Sequence, residues 1–262
     1  MAIVINGSGT LSGLAVGGLP DGTVDDGTLA SGITASKLTG ALPAISGASL
    51  TGVSDESGLA SQQVFISSGT WTKPSGITTV KVIVTGGGGG GGGEGSSGGD
   101  LGAAGGAGGT AIEVIDVSAI STVTVTVGAA GAASNGSQTN GSQGGTSSFG
   151  SHCSATGGAG GVHGNADAVP GGAGGAGTGG DYNLNGGDGG NGWNDFNWGG
   201  NRTNLAVGGA SYWGGGGRGN AYNSSAPREG QAYGSGGGST SPVYGTNGSA
   251  GKIGIVVVEE YK

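Results

Sequence analysis

The sequence has little of several residue types, and each scarcity excludes a class of protein. A single cysteine, Cys153, rules out a disulfide framework within the chain. Eight Lys and Arg residues, scattered singly against 16 Asp and Glu residues, form no basic stripe that could neutralise nucleic-acid phosphates. Six prolines are too few for a collagen-like triple helix. No stretch has helical periodicity or the length of a membrane span, and we expect no signal peptide.

Glycine, in contrast, supplies 72 of the 262 residues. Leu, Ile, Val and Phe together make up fewer than one residue in five, a proportion at which disorder is expected. Charged residues are only 9% of the chain, so charge repulsion does not hold it open. The large apolar residues are concentrated between residues 62 and 127, where they alternate regularly. This distribution favours a fold built on backbone hydrogen bonds over a flexible tract.

The alternating stretches predict β-strands on both sides of a long glycine tract. "QQVFI" is followed by "SSGTWTKPSG", which we interpret as a turn, and then by "ITTVKVIVT" with Val80, Val82 and Val84 on one face. "TAIEVIDV", "STVTVTVG" and the closing "KIGIVVVEEY" show the same period of two. Strands before and after the tract can pair with each other, which would make the tract an excursion from a sheet.

Residues 128–251 consist mainly of turns and short glycine triplets. "GGAGGAGTGG" and "GGDGGNGW" place glycine at every third position and then lose phase. Such triplets suit extended helices of three residues per turn, which can lie side by side and hydrogen-bond laterally because no Cβ separates their backbones. Nearly every backbone donor and acceptor must then find a partner, since glycine loses the most conformational entropy on folding.

Several motifs resemble binding sites but lack the residues that such sites require. Gly86–Gly93 contains G-x-G-x-x-G after a strand, yet no helix follows and no P-loop Lys is present. Asp181, Asn183 and Asn185 resemble half of a calcium loop, but Gly192 stands where a bidentate Glu is needed. A turn rich in Asx side chains is the simpler interpretation.

The remaining candidates for metal binding or catalysis are equally incomplete. His152, Cys153 and His163 lack a fourth ligand and a recognised spacing. No nucleophile with a base and an orienting acid stands at a recognisable spacing, and no G-x-S-x-G occurs. We therefore expect no metal, no cofactor and no enzymatic activity.

The aromatic residues form the most informative group. Nine of the 13 lie between residues 182 and 244, together with all three arginines and many asparagines. Some should stack on glycine backbone, while those on polar loops have the composition of a recognition surface. The candidate receptor-binding residues are Trp193, Asn194, Asp195, Phe196, Trp198, Arg202, Tyr212, Trp213, Arg218, Tyr222 and Arg228.

Six segments in order carry a resemblance to a known family: "FISSGTWTKPSGITTVKVIVTGGGGGGGG", "TVTVGAAGAAS", "GGTSSFGSHCSATGGAGG", "GGDYNLNGGDGG", "GGASYWGGGG" and "GSAGKIGIVVVEEY". Together they resemble the glycine-rich C-terminal domain of bacteriophage tail fibres. The front of the chain, with Leu38-Thr39-Gly40 echoed by Leu50-Thr51-Gly52, looks like the repeats near the start of such fibres. From its residues alone this front could be a disordered arm, or a shaft that packs against copies of itself.

The resemblance implies a mainly β homotrimer of the phage virion. Residues 1–60 would form a fibre or attachment segment that contacts the tail or baseplate. Residues 61–262 would form a receptor-binding domain of β-strands framing polyglycine-type helices. In composition the chain also resembles small tail-fibre adhesins, whose loops between glycine motifs carry receptor specificity. That resemblance implies the same role for the loops around 193–204 and 212–229. The partner would be a bacterial surface glycan or an outer-membrane protein.

Two other functions stay open at the level of sequence. A purely structural fibre or baseplate component would have short, polar loops, whereas these loops are rich in aromatic residues. A polysaccharide depolymerase would need catalytic residues that the spacing does not reveal. The favoured hypothesis is therefore non-catalytic adsorption to a host receptor by a tail fibre that is made in the host cytoplasm.

Overall fold

A computed structural model describes residues 4–5, 11–12, 58–95, 100–136, 138–164, 168–193, 206–219, 228–240 and 247–262. The chain divides into two compact units, Met1–Asp55 and Glu56–Lys262. In the first, strands β1 (Val4–Ile5) and β2 (Leu11–Ser12) form an antiparallel pair. The described residues contain no helix, and so none that could cross a membrane. The proposed boundary at residue 60 stays a prediction.

The second unit contains two five-stranded antiparallel sheets. The first sheet has the order β12-β6-β5-β14-β3, and the second has the order β11-β9-β8-β7-β4. A short pair, β10 with β13, lies apart from both. The strands are β3 (Leu59–Phe65), β4 (Gly69–Thr72), β5 (Thr79–Thr85), β6 (Thr110–Asp116), β7 (Thr122–Thr126), β8 (Ser147–Phe149), β9 (Cys153–Ala155), β10 (Ala168–Val169), β11 (Gly177–Thr178), β12 (Tyr182–Leu184), β13 (Gly192–Trp193) and β14 (Ile255–Tyr261).

The two sheets enclose a hydrophobic core between them. Val80, Val82 and Val84 of β5 are fully buried there, as their alternation predicted. They pack in one cluster with Trp71 and Phe149 of the second sheet, whose rings lie 5.8 Å apart. The side chains at the alternate positions of β5 lie on the opposite side of the first sheet, which we call its outer face.

The interpretation of "SSGTWTKPSG" as a turn was wrong in part. Gly69–Thr72 forms strand β4, which pairs with β7 at the edge of the second sheet. The flanking glycine and proline hid a strand of four residues, too short to show an alternating pattern. Its one large side chain, Trp71, is among the largest fully buried groups of the domain.

A buried carboxylate joins the two sheets. Glu260 of β14 is 1% exposed and accepts hydrogen bonds from three neutral donors. Trp71 Nε1 lies 2.7 Å from its Oε1 and Gln63 Nε2 lies 2.6 Å from the same oxygen, while the Ser61 hydroxyl donates to Oε2. Because unpaired buried charges are costly, these donors are what makes the carboxylate tolerable in the core.

Beyond the strands, the glycine-rich segments form a second layer held by backbone hydrogen bonds. Residues 86–93, which we call the central segment, follow β5 directly. Their amides donate in a strict period of three: those of 86, 89 and 92 to segment 103–109, those of 87, 90 and 93 to segment 139–145, and those of 88 and 91 to segment 249–252. The N···O distances are 2.8–3.1 Å.

The carbonyl groups of the central segment accept in the same period. Those of residues 87, 90 and 93 accept from segment 158–164, those of 88 and 91 from segment 131–134, and that of 89 from Gly237. The central segment is thus enclosed by six neighbours among the described residues. This is the arrangement in which a side-chain-free backbone satisfies its buried polar groups.

The close approach of these neighbours explains why the central segment is glycine throughout. An ideal Cβ built on any of residues 86–92 would lie 1.9–2.3 Å from a backbone carbonyl atom of another segment. Real Cβ contacts are not found below 3.0 Å. The obstacle in each case is backbone, which cannot move aside as a flexible side chain could.

Candidate functional site

The glycine layer has two different ends. At one end its segments continue directly into strands, as Gly86 follows β5, Gly109 precedes β6 and Gly254 precedes β14. At the other end lie Gly95, Asp100, Leu101, Gly164, Trp193, Ala206, Arg218, Arg228 and Ser239. We call this second end the loop end.

Backbone hydrogen bonds fix the residues of the loop end next to one another. Gly95 N donates to Asp100 O at 3.0 Å, and Leu101 N donates to Trp193 O at 3.1 Å. Gly164 N donates to Gly93 O. Ser239 N donates to Ala206 O, Arg228 N to Arg218 O and Ser249 N to Gly238 O, at 3.2, 3.0 and 3.0 Å. Described residues that are distant in sequence therefore meet on one side of the domain.

Among the described residues, Trp193 is the aromatic candidate that lies at the loop end. It belongs to β13, which pairs with Ala168–Val169 of β10, and 53% of its surface is exposed. Val207, which follows Ala206 at the same end, is also exposed. Two large apolar side chains are thus held in solvent at this end.

Two candidate arginines accompany Trp193 at this end. Arg218 and Arg228 are both exposed, and their backbones are joined by the Arg228 N to Arg218 O hydrogen bond. Arg228 O in turn accepts from Gly238 N at 3.2 Å and from Ser249 Oγ at 2.5 Å. The glycine layer therefore positions the backbones that carry the two guanidinium groups. Six other candidates lie outside the described residues: Asn194, Asp195, Phe196, Trp198, Arg202 and Tyr222.

The last two candidates, Tyr212 and Trp213, lie at the opposite end of the glycine layer. They occupy a turn closed by hydrogen bonds between Ser211 and Gly214, and their rings meet edge to face 5.1 Å apart. Trp213 Nε1 donates to Thr85 Oγ1 at 2.9 Å. The structure thus separates these residues from Arg218, although only a few glycines lie between them, because residues 214–219 cross the layer from one end to the other.

The Tyr212–Trp213 turn borders a groove on the outer face of the first sheet, which the sequence did not indicate. The groove has a volume of about 430 Å³. Ile83, Val257 and Tyr233 line it, and Trp213 packs in a small cluster with them. The sequence signal that could have indicated this groove is the set of apolar residues at the outward-facing positions of β5 and β14. In the sheet register these positions bring Ile83 opposite Val257.

An ion pair and a tyrosine hydroxyl lie beside this groove. Lys81 Nζ forms an ion pair with Glu259 Oε2 at 3.1 Å, and Tyr261 Oη donates to the same oxygen at 3.0 Å. These hydrogen bonds to Glu259 raise the pKa of Lys81 and the pKa of Tyr261. Both groups therefore keep their protons at neutral pH, and the ammonium and carboxylate charges nearly cancel.

The sequence motifs that resemble phosphate, calcium and metal sites form hydrogen bonds within the fold. Every amide from Gly86 to Gly93 donates to a backbone carbonyl, so none points at a phosphate. Asp181 Oδ2 accepts from Val114 N, and Asn183 bonds Gly180 through both its amide atoms, as in an Asx-rich turn. The described residues hold no group of three or more His, Cys, Asp or Glu side chains that could bind a metal.

Cys153 and His163 are also accounted for by local structure. Burial in the core, with Glu113 nearby, raises the pKa of the Cys153 thiol to about 12. A thiol with so high a pKa is a poor nucleophile at neutral pH. His163 Nδ1 lies 2.8 Å from Asn140 Oδ1, and its amide donates to the same oxygen.

Comparison with known proteins assigns the second unit to a family. No curated protein matches the sequence. The family model described as "Glycine-rich domain" matches residues 61–261. This range includes the whole glycine layer and all the strands of the two sheets, apart from the first two residues of β3. Because this match covers well over half of the chain, the protein belongs to the glycine-rich domain family.

Proposed function

We propose that this protein is a structural tail fibre of a phage virion that binds a bacterial surface receptor without catalysis. The receptor would be a surface glycan or an outer-membrane protein, and the contact would be made by the loop end of the glycine layer. Residues 1–60 would attach the fibre to the tail or baseplate. The supporting sequence evidence is the resemblance of residues 62–262 to glycine-rich tail-fibre domains.

The single observation that carries this proposal is the convergence, at the loop end, of described segments that are distant in sequence. These segments are joined by backbone hydrogen bonds such as Leu101 N to Trp193 O and Arg228 N to Arg218 O, and by side-chain hydrogen bonds such as Ser249 Oγ to Arg228 O. Loops fixed in this way can vary in length and composition without altering a packed core. Exposed aromatic and arginine side chains are also the types that dominate binding energy at recognition surfaces.

We further propose that the glycine segments are polyglycine-type helices with three residues per turn. The period of three in the hydrogen bonds of residues 86–93 supports this, because each turn would present one amide to each of three neighbours. The six surrounding segments fit the hexagonal packing that such helices allow. A rigid lattice of this kind would hold the receptor-binding loops at defined positions.

In the proposed virion, the fibre is a homotrimer. Three linked sites would bind a cell surface with high effective concentration, so weak individual sites could still give firm adsorption.

Cell binding by the purified full-length chain tests the proposal. The labelled protein is added to a panel of bacterial strains, and the strains that bind it are then tested with Trp193→Ala, Arg218→Ala and Arg228→Ala variants. We expect each variant to bind less than the wild type and the triple variant to lose binding. Thr124→Ala, on the exposed side of the second sheet, is the matched control and should bind normally.

Two results would contradict the proposal. Binding that is unchanged in the triple variant would exclude the described loop-end residues as the receptor contact. Shortening of the purified surface polysaccharide of a bound strain during incubation would show that the protein is catalytic, in favour of a depolymerase.

A further inference from the structure

The chain contains six Asn–Gly pairs, and five of them lie among the described residues. In such a pair the backbone nitrogen of the glycine can attack the asparagine side chain, because glycine has no Cβ to hinder the approach. The surroundings of the five pairs differ, so the fold decides which of them can react. The pairs are Asn135–Gly136, Asn140–Gly141, Asn185–Gly186, Asn191–Gly192 and Asn247–Gly248.

Four of these pairs are enclosed by the glycine layer. An ideal Cβ on the glycine of each would lie 2.1–2.3 Å from a backbone carbonyl oxygen of another segment. The asparagine side chain must fold back towards this glycine in order to react, and neighbouring backbone already occupies that space. The four glycines are Gly141, Gly186, Gly192 and Gly248.

Hydrogen bonds restrain the same pairs further. Their glycine amides donate from Gly141 N to Gly161 O and from Gly186 N to Gly175 O, both at 2.9 Å, and from Gly248 N to Ser134 Oγ at 2.7 Å. Two of the side chains are also held, since Asn140 Oδ1 accepts from His163 N and Asn191 Oδ1 accepts from Gly171 N. Each of these bonds must break before the nitrogen can reach the side-chain carbonyl carbon, which opposes the reaction.

The pair Asn135–Gly136 is different in each respect. Asn135 is exposed, and a Cβ on Gly136 would meet nothing within 4 Å. Gly136 has a φ of 124°, a conformation that suits glycine and few other residues. No described residue accepts a hydrogen bond from Gly136 N. The described part of the fold therefore leaves room for this nitrogen to approach its neighbour's side chain.

We propose that Asn135 is a site of spontaneous deamidation in the folded protein, with water as the only co-reactant. Gly136 N forms a bond to Asn135 Cγ, the bond from Cγ to the side-chain nitrogen breaks, and that nitrogen leaves as ammonia with the amide proton of Gly136. The product is a succinimide ring. Water then adds to one of the two ring carbonyl groups and opens the ring, which gives aspartate or isoaspartate.

The modified residue would lie in a turn that is anchored on both sides at the loop end. Ser134 N donates to Gly91 O at 3.1 Å, and Gln138 N donates to Glu94 O at 2.6 Å. Either product adds a carboxylate between these anchors, and isoaspartate also lengthens the backbone there by one carbon. The modification would thus change charge and shape at the loop end without entering the core, and the inference does not rest on the proposed function.

A time course of the full-length protein tests this inference. The folded protein is kept in mildly alkaline buffer, and deamidation at each site is followed by fragmentation mass spectrometry of its peptides. Asn140 is the matched internal control, because residues 140–143 repeat the sequence NGSQ of residues 135–138. A second sample, unfolded in guanidinium, gives the rates that local sequence alone sets.

In the folded protein we expect Asn135 to deamidate several-fold faster than Asn140, and in the unfolded sample the two rates should be similar. The variant Asn135→Gln should lose the early product, because its longer side chain would have to form a larger and slower-closing ring. Equal rates at the two sites in the folded protein would overturn the inference. A preference for Asn135 that persists unchanged after unfolding would also overturn it, since local sequence and not the fold would then be the cause.

Discussion

Replacing Gly90 by alanine should destabilise the domain more than most single methyl groups could. An ideal Cβ at this position lies 1.9 Å from the carbonyl oxygen of Ala132. That oxygen accepts from Ser142 N at 2.9 Å, and Ser142 O accepts from Gly90 N at 2.9 Å. The added methyl group must therefore push apart two segments that are joined by these bonds.

The magnitude follows from the groups that must move. Overpacking a tight interior costs about 1–3 kcal/mol, and each buried backbone hydrogen bond left unmade costs about 1–3 kcal/mol more. Alanine also lowers the conformational entropy of the unfolded chain, which stabilises the folded state by only about 0.4–1 kcal/mol. We expect a net loss of about 3–5 kcal/mol, a large share of the about 5–15 kcal/mol that keeps a typical domain folded. For a domain of this size the melting temperature should fall by roughly 10 °C.

Scanning calorimetry of the full-length protein measures this effect, with Gly215→Ala as the matched control. Gly215 lies in the same layer, but a Cβ there meets nothing within 4 Å and its φ is not in the left-handed region. The control should melt at the wild-type temperature or slightly above it. If Gly90→Ala melts with the control, the central segment is not enclosed by backbone as described, and the explanation for its eight glycines fails.

Two further predictions concern the core of the sheets. Glu260→Gln places an amide opposite the donors of Gln63 and Trp71 and should lower the free energy of unfolding, measured by urea denaturation, by about 2–4 kcal/mol. The control Glu259→Gln, at the surface, should lower it by about 1 kcal/mol or less. Equal effects of the two substitutions would contradict the buried role of Glu260. Because burial raises the pKa of Cys153 to about 12, the native thiol should not react with a disulfide reagent at pH 8 and should react once guanidinium unfolds the protein. Rapid native labelling would contradict its burial.

The longer strands could be predicted from the sequence because a sheet imposes its period on side chains. Val80, Val82 and Val84 alternate with Lys81 and Ile83, and strand β5 covers the residues that show this pattern. Strands β8 to β13 have two or three residues each, which is too few for a period to show. β4 was hidden among turn residues for the same reason.

The arrangement of the glycine layer could not be predicted, since its partners are chosen without side chains. Gly90 and Gly215 look alike in the sequence, although one is enclosed by backbone and the other borders open space. Ala103 and Ala107 are fully buried in a segment next to the central one, so even the rule that packed positions must be glycine has exceptions. Nothing local distinguishes these cases.

The candidate site was predicted as a set of residue types but not as a place. Trp193, Arg218 and Arg228 do lie at one end of the domain, as residues on connecting loops should. Tyr212 and Trp213 were grouped with them because they are near in sequence. A segment that crosses the whole layer in a few residues makes sequence proximity a poor guide to spatial proximity here.

The enclosure of the central segment has a consequence for how the chain folds. Gly88 and Gly91 donate to Lys252 and Ser249, which lie far along the chain from them and are synthesised much later. Until then one side of the segment has no partner for its amides. Contacts so distant in sequence slow folding, because the chain must close large loops before they form. The glycine layer should therefore gain stability abruptly, once residues 249–252 have been released.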